Sequence, residues 1–298
     1  MSGRVWIALF LALAVLAGCG GPRSPFVKQR EKVEKYTDRG DEMFDQGKLP
    51  QASREFDRAL ALSRGMDYQV GVARQLNNLG AVALDQGNLP RARELFTRAW
   101  EVNRSQGNWT EASTNQANLA TVAQQEGDLA AVRLHLGQAE DAARWSRDKS
   151  ALARAYMRWS AFALDQMDFG TAGSYLKQAR RLARTPDVKA AVAYQQGRLA
   201  LARGDTTAAA DYLTQALSGD RELQDRAAMA ADLYHLGEAY RLRGDWYQAF
   251  RYYARAFDVY ASMGRRAQLA ECLARLQEAN REGALNQPLE RFEKQVSG

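Results

Sequence analysis

The chain has 298 residues, of which 46% are apolar, 26% charged and 9% aromatic, a balance that excludes global disorder and allows a core without staples. Cys19, Cys272, His135 and His235 are its only cysteines and histidines, which leaves zinc fingers, iron–sulfur sites and disulfide scaffolds without ligands. The net charge of +6, from 41 basic and 35 acidic residues, is interspersed along the chain, whereas nucleic-acid binders concentrate charge on one face. No nucleic-acid partner is therefore expected.

The apolar run from Val5 to Ala17 follows Arg4 and is too short to span a bilayer as a helix, so it reads as the core of a signal peptide at residues 1–18. It ends in Leu16-Ala17-Gly18-Cys19, which resembles the lipobox of bacterial lipoproteins. That resemblance implies cleavage before Cys19, acylation of its thiol and stable anchoring through several acyl chains. Gly20 after the lipidated cysteine resembles the outer-membrane address of enteric lipoproteins, whose retention signal is Asp. Residues 19–28, with Gly20-Gly21-Pro22-Arg23-Ser24-Pro25, are expected to form a flexible tether facing the periplasm.

From there one punctuation recurs. Gly47-Lys-Leu-Pro-Gln-Ala52, Gly87-Asn-Leu-Pro-Arg-Ala92, Gly127-Asp-Leu-Ala-Ala-Val132, Met167-Asp-Phe-Gly-Thr-Ala172, Gly204-Asp-Thr-Thr-Ala-Ala209 and Gly244-Asp-Trp-Tyr-Gln-Ala249 stand 40, 40, 40, 37 and 40 residues apart. The glycine suits the left-handed position that closes one helix, and the Asn or Asp after it can cap the next. Pro50 and Pro90 fall in a first helical turn, where a missing N–H loses no bond. Each unit is thus a pair of helices. Thr185-Pro186-Asp187 breaks the chain at the short spacing, with Thr185 as cap, and the fourth unit, with Met167 at its turn, is expected to be the least regular.

Small residues before each turn and fixed types after it, as in Gly80, Phe96 and Ala99, Gly197, Leu213 and Ala216, or Gly237, Tyr253 and Ala256, match the tetratricopeptide repeat (TPR) pattern. The small residue marks a close helix crossing, and the large one is expected to fill the gap between neighbouring units. The period of 40 resembles the long-repeat subclass of kinesin light chains and spindle-orientation adaptors, whose grooves hold extended peptides. The expected fold is all-α, a right-handed α-solenoid of six helix pairs at residues 29–263. A degenerate seventh repeat at 264–298, containing Cys272 as a packing residue, would cap it.

In such a superhelix the first helix of each pair lines the concave face. The expected peptide-binding residues there are Arg74, Asn78, Asn118, Arg154, Arg158 and His235, while His135 is expected to pack half-buried on a second helix. Arg154, Arg158 and Asn118 match places in the carboxylate clamp of some TPR proteins. The clamp's earlier Lys and Asn are not matched, since Asn77 and Ala81 stand there, which favours an acidic side chain over a terminal carboxylate. No catalytic motif, cofactor loop or metal constellation occurs, so no enzyme, cofactor or metal is expected. Three readings follow: a lipid-anchored scaffold binding a segment of a partner protein, a pilotin-like assembly factor of a pilus or secretin, and a structural module whose groove takes its own tether or a second copy as a homo-oligomer.

Overall fold

The computed structural model describes residues 24–297. Cys19, the leader and most of the expected tether lie outside them. Fourteen α-helices and no strand occur among the described residues. The first helices of the pairs are α1 (Pro25–Asp45), α3 (Gln69–Asp85), α5 (Trp109–Gln125), α7 (Lys149–Asp165), α9 (Pro186–Ala202), α11 (Arg226–Leu242) and α13 (Arg266–Glu282). The second helices are α2 (Leu49–Gly65), α4 (Leu89–Ser105), α6 (Leu129–Ser146), α8 (Phe169–Leu182), α10 (Thr206–Glu222), α12 (Trp246–Ser262) and α14 (Glu290–Ser297). Each packs chiefly on its neighbours in sequence, as an α-solenoid does.

The punctuation works as its chemistry demands. Gly47, Gly87, Gly127, Gly204 and Gly244 take φ between +69° and +78°. The side chains of Asn88, Asp128, Asp168, Asp205 and Asp245 then accept from a backbone N–H three residues on, at 2.9 to 3.2 Å. Lys48 has no such group and makes no cap bond.

Two local expectations are corrected. The tether does not reach residue 28, because Ser24 and Pro25 begin a helix: Ser24 Oγ accepts from Val27 N at 3.3 Å, and proline needs no partner in the first turn. Thr185 stands at the cap position of α9 but makes no cap bond. Its hydroxyl serves the Asp187 carboxylate instead. The fourth unit is irregular as expected, since α8 has only 14 residues and stops at extended Ala183 before the Thr185-Pro186 break.

The core is built from the repeated small and large positions. Ala59, Ala99, Ala139, Ala179, Ala216 and Ala256 are wholly buried. The large residue packs onto the small residue of its own pair, within clusters that run on into the next unit. A Cβ on Gly80 would lie 2.6 Å from the Phe96 ring, and one on Gly237 would lie 2.5 Å from the Tyr253 ring. The third and fourth pairs solve the same crossing differently. Ala120 faces the smaller Leu136, and Ser160 turns its hydroxyl to the Ala172 carbonyl at 2.9 Å.

The solenoid comes round on itself. The first turn, Gln46-Gly47, meets the link Met263-Gly264-Arg265 that joins α12 to α13, so closely that a Cβ on Gly47 would lie 2.4 Å from the Met263 carbonyl oxygen. Arg265 pairs with Asp85 at the end of α3 and lies 5.0 Å over the Phe44 ring. The inner helices therefore line a groove with a closed perimeter.

Candidate peptide-binding groove

The first part of the groove is self-neutralised. Arg74 on α3 reaches back one repeat to Glu34 on α1, Nη1 to Oε2 at 2.7 Å, with Asp41 at 3.8 Å from its Nη2. Asn78 donates to Asp41 Oδ1 at 3.4 Å. Burial raises the pKa of Asp41, and the Arg74 guanidinium opposes that shift. Arg74 and Asn78 are therefore not free donors for a partner. The amides beyond them are also engaged: Asn77 Oδ1 accepts from Asn115 Nδ2 at 3.0 Å and from Asn118 Nδ2 at 2.9 Å, and Asn103 donates to Asn115 Oδ1 at 2.8 Å. Asn118 belongs to this inter-repeat ladder.

Arg154 and Arg158 do come together, one turn apart on α7, in the wall of a cavity of about 690 Å³. Arg154 Nη2 holds Asp187 Oδ2 on α9 at 2.5 Å, and the pair is half exposed. Burial acts to raise the Asp187 pKa, but Thr185, Arg154 and the Val188 N–H outweigh it and leave the carboxyl below its usual range. Arg198, farther round the same wall, lies 3.5 Å from Asp165.

Arg158 differs from all of these. It has no hydrogen-bond, ion-pair or ring partner among the described residues. Its side chain is exposed to solvent, although atoms of the groove wall lie close enough to desolvate it in part. That desolvation alone lowers its pKa from the ordinary arginine value. A guanidinium held in a concavity without a counter-charge is suited to a carboxylate brought by a ligand.

The far wall carries a group that periodicity does not single out. Asp232 on α11 is fully buried and Asp220 on α10 nearly so, and both line the cavity. They occupy the repeat places that Asn103 and Asn115 hold earlier, twelve residues apart in both cases. That register was the available signal. Burial, then the neighbouring Asp220 carboxylate, pushes the Asp232 pKa up to about 9, so one proton bridges the pair.

His235 faces a second cavity, of about 390 Å³, together with Arg198, Tyr234, Glu238 and Arg275. Its Nδ1–H donates to the Ala231 carbonyl at 2.9 Å, and its ring meets Tyr194 and Tyr234 edge-on at 5.3 and 5.5 Å. Burial lowers its pKa and keeps it neutral, so Nε2 is left as an acceptor. His135 is bonded to Gln116 Oε1 at 2.8 Å, a packing role. Among the described residues no group of three or more His, Cys, Asp or Glu is placed to hold a metal ion. The groove wall thus carries Arg158, a cation without a partner among the described residues, beside amides and aromatic rings that are engaged with one another.

No family model matches the chain, and no curated protein matches it. Solved structures do. RapI in its apo form is 16% identical, with TM-score 0.60 over 86% of this chain and 90% of that one. A Rap protein complexed with competence and sporulation factor is 13% identical, with TM-score 0.59 over 89% and 76%. A signal-transduction ATPase with a tetratricopeptide repeat sensor from Pyrococcus horikoshii is 13% identical, with TM-score 0.56 over 92% of this chain and 43% of that one. At these identities the likeness is one of fold. The chain has the fold of a tetratricopeptide-repeat solenoid.

Proposed function

We propose that the protein is a lipid-anchored scaffold of the bacterial envelope, attached to the outer membrane through Cys19 and facing the periplasm. There its groove would hold an extended, acidic segment of a partner protein in envelope or secretion-machinery assembly. The observation that carries the binding half is Arg158, an exposed guanidinium without an ion-pair partner among the described residues, in the wall of a cavity of about 690 Å³. A side-chain carboxylate there would form a charge-assisted bond whose contribution lies between the roughly 1 kcal/mol of a screened pair and about 1.5 to 3 kcal/mol, according to how far the ligand covers the exposed guanidinium. The exposed Arg154–Asp187 pair contributes little on its own and can exchange Asp187 for the ligand at small cost. Support by likeness comes from the Rap protein, which is solved in complex with competence and sporulation factor.

Two experiments test the two halves. An array of synthetic peptides, each acidic one paired with its Asn or Gln counterpart, should retain the full-length protein on acidic members. Equal retention on the amide members contradicts the Arg158 reading. For the anchor, Cys19→Ser should yield an unprocessed or soluble form, because a hydroxyl cannot replace the thiol as acyl acceptor. A mutant that still fractionates with salt-washed outer membranes contradicts that half.

A further inference from the structure

The joint that closes the groove differs in kind from the joints between successive units. Those are backed by buried apolar clusters, one running through α2 to α5 and another through α9 to α14. No such cluster bridges the first turn and the link before α13. That joint includes the Arg265–Asp85 ion pair, the Arg265 guanidinium over Phe44, and two glycine turns in contact, beside the single buried side chain of Met263. The ion pair is partly desolvated, with Arg265 at 20% and Asp85 at 29% side-chain exposure, and Asp45 adds a second negative charge near the guanidinium. Gly47 and Gly264 both have positive φ, at +69° and +64°, and the backbones approach where no side chain intervenes.

In a solenoid each unit contacts only its neighbours, so small rotations at many unit interfaces add up to a large displacement between the ends. Separating the ends therefore costs mainly this joint, while the core clusters stay intact. Arg158 lies in the middle of the array, away from the joint.

We propose that the contact of Arg265 with Asp85 and Phe44 is a clasp, which opens to let an extended segment into the groove from the side and recloses around it. That a segment is what enters rests on the reading of the groove given above; that the ring opens at this joint does not. With the clasp closed, a bound segment is encircled, so it leaves by threading out or by another opening. Retention is then governed by the clasp as well as by Arg158.

The test uses no ligand, so its failure leaves the Arg158 reading standing, and a failed peptide experiment leaves the clasp standing. Spin labels on Arg54→Cys in α2 and Ala274→Cys in α13, both exposed, report the end-to-end distance by pulsed electron resonance in the full chain carrying Cys19→Ser. Cys272 is fully buried and stays unlabelled. Arg265→Glu sets a negative charge against Asp85 and Asp45 and should raise the ratio of long to short distances at least tenfold. Arg265→Gln should shift it the same way by less, and Asp85→Arg combined with Arg265→Glu should bring it back. Circular dichroism accompanies each variant, and Arg265→Gln carries the test if Arg265→Glu loses helix. An unchanged distance distribution on removing the charge, or a swapped pair that fails to restore the short distance, overturns the clasp.

Discussion

Met167 occupies a turn position that other units give to glycine, and its backbone pays for it with φ of +57°. A side chain in the left-handed region costs roughly 1 to 2 kcal/mol, and Met167 is 78% exposed, so its packing returns little. Met167→Gly should stabilise the protein by up to about 1 kcal/mol after the extra freedom of glycine in the unfolded chain is subtracted. A melting temperature that falls would mean the thioether makes a contact of value. Gly80 works in the opposite sense. A methyl there would meet the Phe96 ring at 2.6 Å, so Gly80→Ala should cost about 1 to 3 kcal/mol. Adding Phe96→Leu should recover part of the loss, because it reproduces the Ala120 and Leu136 pairing of the next unit. Denaturant unfolding of the single and double variants decides it.

At the scale of elements, the α10–α11 contact replaces the Asn103–Asn115 bond of an earlier joint with the acid pair Asp220–Asp232. In the ionised form both Asp232 oxygens lack a hydrogen-bond partner, and a shared proton supplies the bond. Asp225 adds like charge, while Tyr194 and the three arginines Arg154, Arg158 and Arg198 line the same cavity. Asp232 is protonated more readily in the folded chain than in the unfolded one. Its contribution is therefore fully present below the ordinary aspartate pKa of 3.8 and is lost as pH rises toward about 9. Asp232→Asn supplies a permanent donor to Asp220, so it should raise the melting temperature at pH 8 and flatten its decline between pH 5 and 9. A pH profile parallel to that of the parent protein would remove the shared proton from the account.

The elements themselves were legible in the sequence because the turn inside each of the six pairs is written locally, by a glycine in five, an Asx cap in five and a proline in two. The pairing across units was harder to read. Glu34 lies forty residues before Arg74, and Asp187 lies 33 after Arg154, so repeat arithmetic could have set these partners beside each other. What it could not give is which side chain turns to which. Two helices that share a register still leave each long side chain several rotamers, and that choice left Arg158 open while Arg74 was closed.

At the scale of the molecule, closure of the ring was not legible at all. It depends on the small rotation between units summed over the array, and no single residue encodes that sum. Gly264 and Arg265 read as ordinary link residues until the first turn is seen against them. The closed perimeter gives the groove its meaning, since one unpartnered guanidinium faces a space bounded by the whole array. The most direct measurement is calorimetric titration of the parent protein, Arg158→Ala and Arg74→Ala with the tightest acidic peptide from the array. Arg158→Ala should weaken binding at least tenfold, equivalent to about 1.4 kcal/mol, while Arg74→Ala, which removes a cation already neutralised by Glu34, should bind nearly as the parent does. Equal affinity in Arg158→Ala, with an unchanged melting temperature, would contradict it and move the binding site off this groove.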